Sequence, residues 1–136
     1  MNLLFVVQRY GADVAGGAEA HCRMFAERLA ARGHDVTVLT SCARDYDTWA
    51  DAYPPGVERI DGVDVHRLGV VAPRATSRFD AVSRRVAGAT RPDPVVEEAW
   101  MFEQGPILRG FGPELRRLAV PADVVIFFTY LYATTV

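Results

Sequence analysis

The chain contains no lysine. All 15 of its basic residues are arginine, and this excludes two chemistries. A P-loop needs a lysine directly after its second glycine. Gly11 and Gly16 have the right separation, but Gly17 stands where the lysine would be. Schiff-base catalysis needs a primary amine side chain, and the chain offers none. Cysteine and histidine are scarce as well: 2 of the first, Cys22 and Cys42, and 3 of the second, His21, His34 and His66. Two cysteines suit a reducing compartment and read as buried free thiols, neighbours at one end of a sheet. The histidines fall on different elements, so no metal centre is expected. No stretch approaches the ~20 apolar residues of a membrane span, and Met1-Asn2 lacks the positive start of a signal peptide. A cytoplasmic protein is expected. A net charge of −2 argues against a nucleic-acid partner, since such domains are usually basic.

What is present is one domain's worth of chain, 136 residues, half of them hydrophobic. Its most informative feature is Gly16-Gly17, placed between the apolar run Leu3 to Val7 and a helical pattern that begins near Ala18. Strand, glycine turn and helix start together present bare backbone N–H groups and the positive end of a helix dipole to an anion. A dinucleotide fingerprint needs a tight first turn and an acid at the end of the second strand. Here Arg9 to Ala15 is too long a loop, and the second strand ends Val38-Leu39-Thr40-Ser41 without an acid. The fit is to a looser glycine loop facing a diphosphate held mainly by another domain. Gly-Gly before a helix is also ordinary turn chemistry, and the loop by itself leaves both readings open.

Periodicity and punctuation order the rest. The first strand covers about Asn2 to Gln8, apolar on both faces as central parallel strands are. A helix from about Ala18 to Arg32 buries Ala18, Cys22, Phe25, Leu29 and Ala30 and turns Glu19, Arg23, Glu27 and Arg28 outward. Gly33 stops it, and a strand at Asp35 to Thr40 completes a right-handed βαβ unit. Ser41 to Gly56 is a long loop, and loops of that length usually carry function or cover something. Asp61-Gly62 predicts a hairpin of Val57 to Ile60 with Val63 to Leu68. Arg74 to Arg91 holds five arginines against Asp80 alone, with Phe79, Val82 and Val86 at helical spacing. Such a segment is either a solvated connecting helix or one that lies on an anionic membrane surface. Helices are expected over Val95 to Gln104 and Pro113 to Leu118, and a buried parallel strand over Asp123 to Thr129.

These residues resemble the start of a GT-B glycosyltransferase of family four. The carriers are Gly16-Gly17-Ala18-Glu19 and the run Leu29-Ala30-Ala31-Arg32-Gly33-His34-Asp35-Val36-Thr37-Val38-Leu39-Thr40. A narrower similarity, to bacterial members that build surface polysaccharides, rests on His21-Cys22-Arg23, Asp45 to Trp49, Tyr53 to Gly56, Asp61 to Leu68, Gln104 to Pro106 and Phe127 to Tyr132. The resemblance covers nearly the whole chain.

It implies an α/β, Rossmann-like parallel sheet of order 3-2-1-4 with helices on both faces. Residues 1–136 would be part of the N-terminal, acceptor-side domain, with the donor domain lying beyond it. A sugar would pass from a nucleotide-diphosphate sugar, a co-substrate rather than a cofactor, to a glycan or lipid-linked hydroxyl, with retention of configuration and usually without a metal. The chain alone is expected to be inactive and to hold no catalytic residue. Gly16 and Gly17 would approach the diphosphate or the acceptor. Glu19 would complement the helix dipole. Arg9 would meet a phosphate or be a surface residue. Many relatives carry a histidine after the fourth strand. Thr129-Tyr130 stands there here, and Tyr130 would bond a sugar hydroxyl or be a partly buried aromatic. Trp49 and Tyr53 would stack on an acceptor ring or pin their loop. His21 reads as a partly buried helix histidine rather than a base. If the acceptor is lipid-linked, Arg74 to Arg91 would hold the enzyme to the inner leaflet. The apolar strand at Val124 to Phe128 would be an open edge through which copies associate. The rival classes are a non-catalytic Rossmann-like binding module and half of a nucleotide-dependent oxidoreductase.

Overall fold

β1 (Asn2–Val6) sits inside the sheet, and Leu3, Leu4, Phe5 and Val6 are all buried. It pairs in parallel with β2 (Asp35–Ser41) on one side and β5 (Val124–Phe127) on the other, so that Leu4 faces Thr37 and Val125. A computed structural model describes residues 1–128. Between β1 and β2 runs α1 (Gly17–Ala31). It ends in a glycine-centred stop: Gly33 takes φ 85°, and the amides of Gly33 and His34 return to the carbonyls of Ala30 and Leu29.

β3 (Gly56–Ile60) and β4 (Val63–Leu68) form the expected hairpin. Both turn residues, Asp61 and Gly62, have positive φ, as a two-residue hairpin turn demands. β4 joins β2 in parallel, giving the order β3-β4-β2-β1-β5. The expected parallel order is present as β4-β2-β1-β5. The sheet as a whole is mixed, because the short turn forces β3 to run antiparallel along the outside of β4.

Two helices cover opposite faces. Leu3, Phe5, Val7, Val36, Val38, Val63 and Val65 pack with Cys22 and Ala26 of α1. Leu4, Val6 and Leu39 pack under Leu115 and Leu118 of α4 (Phe111–Ala119), a helix longer than expected at both ends. The buried face of α1 differs from expectation. Its buried residues are Glu19, Cys22 and Ala26, while Phe25 is 45% exposed. The helix is turned so that a carboxylate, not a phenyl ring, points inward, and the partners of that carboxylate explain why.

α2 (Thr76–Ala87) and α3 (Pro94–Gln104) form a helical pair. Asp93 caps α3 by accepting from the amide of Val95, and Pro94 takes the first-turn position that needs no donor. Phe79 stacks on Trp100 at 6.3 Å, and Trp100 Nε1 donates to Ser83 Oγ at 2.9 Å. The half-buried side of α2 is therefore covered in part by α3, leaving Arg84 and Arg85 exposed. No helix among the described residues is long and apolar enough to cross a membrane.

Candidate functional site

The carboxyl ends of the parallel strands meet where the chain leaves β1. Gln8 is fixed first. Its carbonyl accepts from the Ser41 amide at 3.3 Å and from Ser41 Oγ at 2.5 Å. From there residues 9–16 loop out and return at Gly16, the N-cap of α1. No side chain caps this helix, and its first internal hydrogen bond runs from the Ala20 amide to the Gly16 carbonyl. The amides of Gly17, Ala18 and Glu19 thus precede the helical ladder, at the positive end of the dipole. Gly16 and Gly17 are both exposed. The bend is open to solvent at the carboxyl ends of the strands, which is the placement an anion site requires.

The two glycines are there for different reasons. Gly16 has φ 154°, and a Cβ on it would lie 2.0 Å from Glu19 Oε2 and 3.0 Å from Arg9 Nη2. A Cβ on Gly17 would meet nothing within 4 Å. The protein's own packing demands glycine at 16. At 17 it leaves free space on the outer side of the loop.

Beneath Gly16 lies a buried ion pair. Arg9 and Glu19 are each 5% exposed. Glu19 Oε1 accepts from Arg9 Nε at 3.0 Å, Arg9 Nη2 at 2.5 Å and Gln8 Nε2 at 3.2 Å. Arg9 Nη1 donates to the Arg44 carbonyl at 3.1 Å, and the guanidinium lies 5.3 Å from the Tyr46 ring. Arg9 is therefore inside the protein with each of its nitrogens bonded, neither on the surface nor extended toward a ligand. Glu19 lies in the first turn of α1, where an acid complements the helix dipole, but it does not face solvent. It is drawn under the helix by Arg9 and Gln8, and this sets the rotation of α1. The pair ties β1 to the first turn of α1 and so fixes the glycine bend between them.

A second tie crosses from the long loop. The Tyr53 hydroxyl donates to Asp13 Oδ1, and its ring lies 4.0 Å from the Arg67 guanidinium. Burial, then the hydrogen bond to Asp13, pushes the Tyr53 hydroxyl up to about 12. The same bond holds the Asp13 carboxyl below its ordinary value. Arg67 is 3% exposed. It donates to the Tyr10 carbonyl at 2.7 Å and to Glu58 at 2.5 Å. Tyr53 also explains Gly11, where a Cβ would lie 2.7 Å from its hydroxyl oxygen. Arg44 and Tyr46, 61% and 52% exposed, stand on the rim beside these residues.

Trp49 pins the loop rather than offering a stacking surface. It is 1% exposed, packs with Ala43, Val70 and Leu108, and donates to the Gln104 carbonyl at 2.8 Å. His21 is exposed, not partly buried, with its ring 4.7 Å from that of Phe25. Cys22 and Cys42 are free and buried, and burial pushes their thiols up to about 12 and about 11. Neither is a thiolate at neutral pH. Among the described residues no group of histidine, cysteine and acidic side chains is placed to hold a metal. Of the predicted site residues the structure brings Gly16, Gly17 and Arg9 together, and Tyr130 lies outside the described residues. Sequence reasoning missed Asp13, Arg44 and Tyr46, which carry no spacing signal, and the buried Arg67. Arg67 had one signal: it continues the buried alternation of Val63 and Val65.

The glycosyl transferase 4-like domain family matches residues 16–134. An uncharacterized glycosyltransferase of Methanocaldococcus jannaschii is 35% identical over 68 residues, which is 50% of this chain and 15% of that protein. The chain thus spans a small part of the relative's length. No solved structure matches.

Proposed function

The chain belongs to the glycosyl transferase 4-like family, and on that premise we propose that it is the acceptor-side domain of a retaining glycosyltransferase. The donor is a nucleotide-diphosphate sugar, and the acceptor is a glycan or lipid-linked hydroxyl of a surface polysaccharide. One observation carries this reading. The uncapped start of α1 is exposed at Gly16 and Gly17, and beyond its chain neighbours and its own helix backbone a Cβ on Gly17 would meet nothing within 4 Å. An incoming diphosphate meets backbone amides at the positive end of a helix, where charge gathering on a departing nucleotide is favoured. Arg9 and Glu19 hold that bend in place without touching the ligand, and no metal is needed. Tyr130 is assigned a hydrogen bond to a sugar hydroxyl. The domain works at the cytoplasmic face of the inner membrane. The exposed Arg84 and Arg85 of α2, which make no ion pair among the described residues, meet anionic lipid there.

The test is transfer itself. The 136-residue chain alone turns over no sugar nucleotide. A polypeptide that joins it to a sugar-nucleotide-binding domain transfers the sugar with its anomeric configuration retained, and Gly17→Val in that polypeptide abolishes transfer. Inverted product, or transfer indifferent to Gly17→Val, overturns the proposal.

A further inference from the structure

A second cavity lies on the α4 side of the sheet and takes no part in the glycine bend. It has a volume of about 310 Å³ and is lined by Pro55, Val57, Leu68, His66, Arg109 and Glu114 among others, at the small end of the roughly 300–1,000 Å³ usual for ligand pockets. Two ionisable side chains from distant parts of the chain meet in it. His66 Nδ1 of β4 lies 3.1 Å from Glu114 Oε1 of α4. Arg117 donates to both oxygens of Glu114, at 2.6 and 2.9 Å. These bonds, with those to His66, hold the Glu114 carboxyl down to about 2. The carboxylate is therefore ionised at neutral pH and only accepts hydrogen bonds. His66 Nε2 makes no hydrogen bond among the described residues. Arg109 is exposed, and its guanidinium has no hydrogen bond or ion pair among the described residues. Its own amide donates to the Gly69 carbonyl at 2.9 Å, which fixes it at the end of β4. Val57, 64% exposed, also lines the cavity.

This lining has three parts: an apolar wall, a histidine and carboxylate that exchange hydrogen bonds with hydroxyls, and an unpaired guanidinium suited to a carboxylate. A tie serving only to join β4 to α4 would need the His66–Glu114 contact but neither the open space nor the arginine beside it. We propose that this cavity is a second ligand site, for a single sugar unit that carries a carboxylate. Arg109 pairs with the carboxylate, the His66–Glu114 pair takes the ring hydroxyls, and Pro55 and Val57 cover the apolar face of the ring. The site does not rest on the transferase reading.

The test is titration of the 136-residue chain with glucuronate, glucose and acetate, followed by NMR at the His66 ring and the Gly69 amide. Glucuronate moves both resonances saturably, and glucose and acetate each bind at least about tenfold more weakly. Arg109→Gln, an exposed substitution whose fold is checked by circular dichroism, brings glucuronate down to the level of glucose. The Gly16 and Gly17 amides stay still throughout, so failure here is distinct from failure at the glycine bend. No saturable shift with glucuronate, acetate binding as well as glucuronate, or an Arg109→Gln variant that binds unchanged would each overturn the proposal.

Discussion

Adding a methyl group at residue 16 and at residue 17 should have opposite consequences, although the two glycines are adjacent and both exposed. At Gly16 the new Cβ lands 2.0 Å from Glu19 Oε2 and 2.7 Å from Glu19 Cδ. The carboxylate must leave its place, and with it the bonds to Arg9 and Gln8. Separating a buried pair leaves a charge uncompensated and costs about 3–5 kcal/mol. The φ of 154° at Gly16 adds backbone strain of order 1 kcal/mol for any residue with a Cβ. Gly16→Ala should therefore cost about 4–6 kcal/mol, a large share of the roughly 5–15 kcal/mol that holds a domain folded. At Gly17 the Cβ enters open space in the first turn of a helix. Alanine restricts the unfolded chain there, and Gly17→Ala should be neutral or stabilise by up to about 1 kcal/mol. Urea unfolding followed by far-ultraviolet circular dichroism measures both. A double-mutant cycle isolates the cause. In a Glu19→Ala background the collision is gone, so Gly16→Ala should then cost only the backbone part, about 1 kcal/mol. If Gly16→Ala and Gly17→Ala have the same stability, or the cost at 16 is unchanged without Glu19, the account of the bend is wrong.

Two further outcomes follow from the geometry. Trp49→Phe keeps most of the packing against Ala43, Val70 and Leu108 and removes one donor from the Gln104 carbonyl, which Arg74 still serves, and should cost about 0.5–1.5 kcal/mol by the same unfolding assay. Glu114 has a carboxyl lowered from 4.5 to about 2, chiefly by Arg117. A lowered folded-state value stabilises fully above the unfolded value and is lost as pH falls toward the folded one. Unfolding midpoints should therefore drop between about pH 4.5 and pH 2 in the natural chain, and Glu114→Gln should flatten that stretch of the curve. A variant curve as steep as the natural one would remove the assignment.

The order of elements was legible because periodicity and punctuation agree. The apolar run at Leu3 to Val7, the stop at Gly33 and the Asp61-Gly62 turn each carry a local physical signal, and each lies where it was expected. The rotation of α1 was not legible. A side chain judged alone sends Glu19 and Arg9 to solvent and Phe25 to the core. The real arrangement follows from the two charges neutralising each other inside, which no single-residue preference encodes. The same reason hid Arg67, whose charge is met by Glu58 and the Tyr10 carbonyl. Trp49 was readable as a pin or a platform, and its burial against Val70 and Leu108 and its hydrogen bond to Gln104, fifty-five residues away, decide between them. His66 and Glu114 are 48 residues apart on elements that meet only after folding. Their pairing has no local sign.

The central claim is that the amides at the start of α1 receive an anion. It is tested most directly by backbone-amide NMR of the 136-residue chain during titration with a nucleotide diphosphate, with NAD as the comparison. The Gly16, Gly17 and Ala18 amides should shift together and saturably with the diphosphate, more strongly than with NAD, while Gly69 and the His66 ring remain unmoved. Shifts that are absent from these three amides, or that appear only elsewhere on the chain, would contradict it.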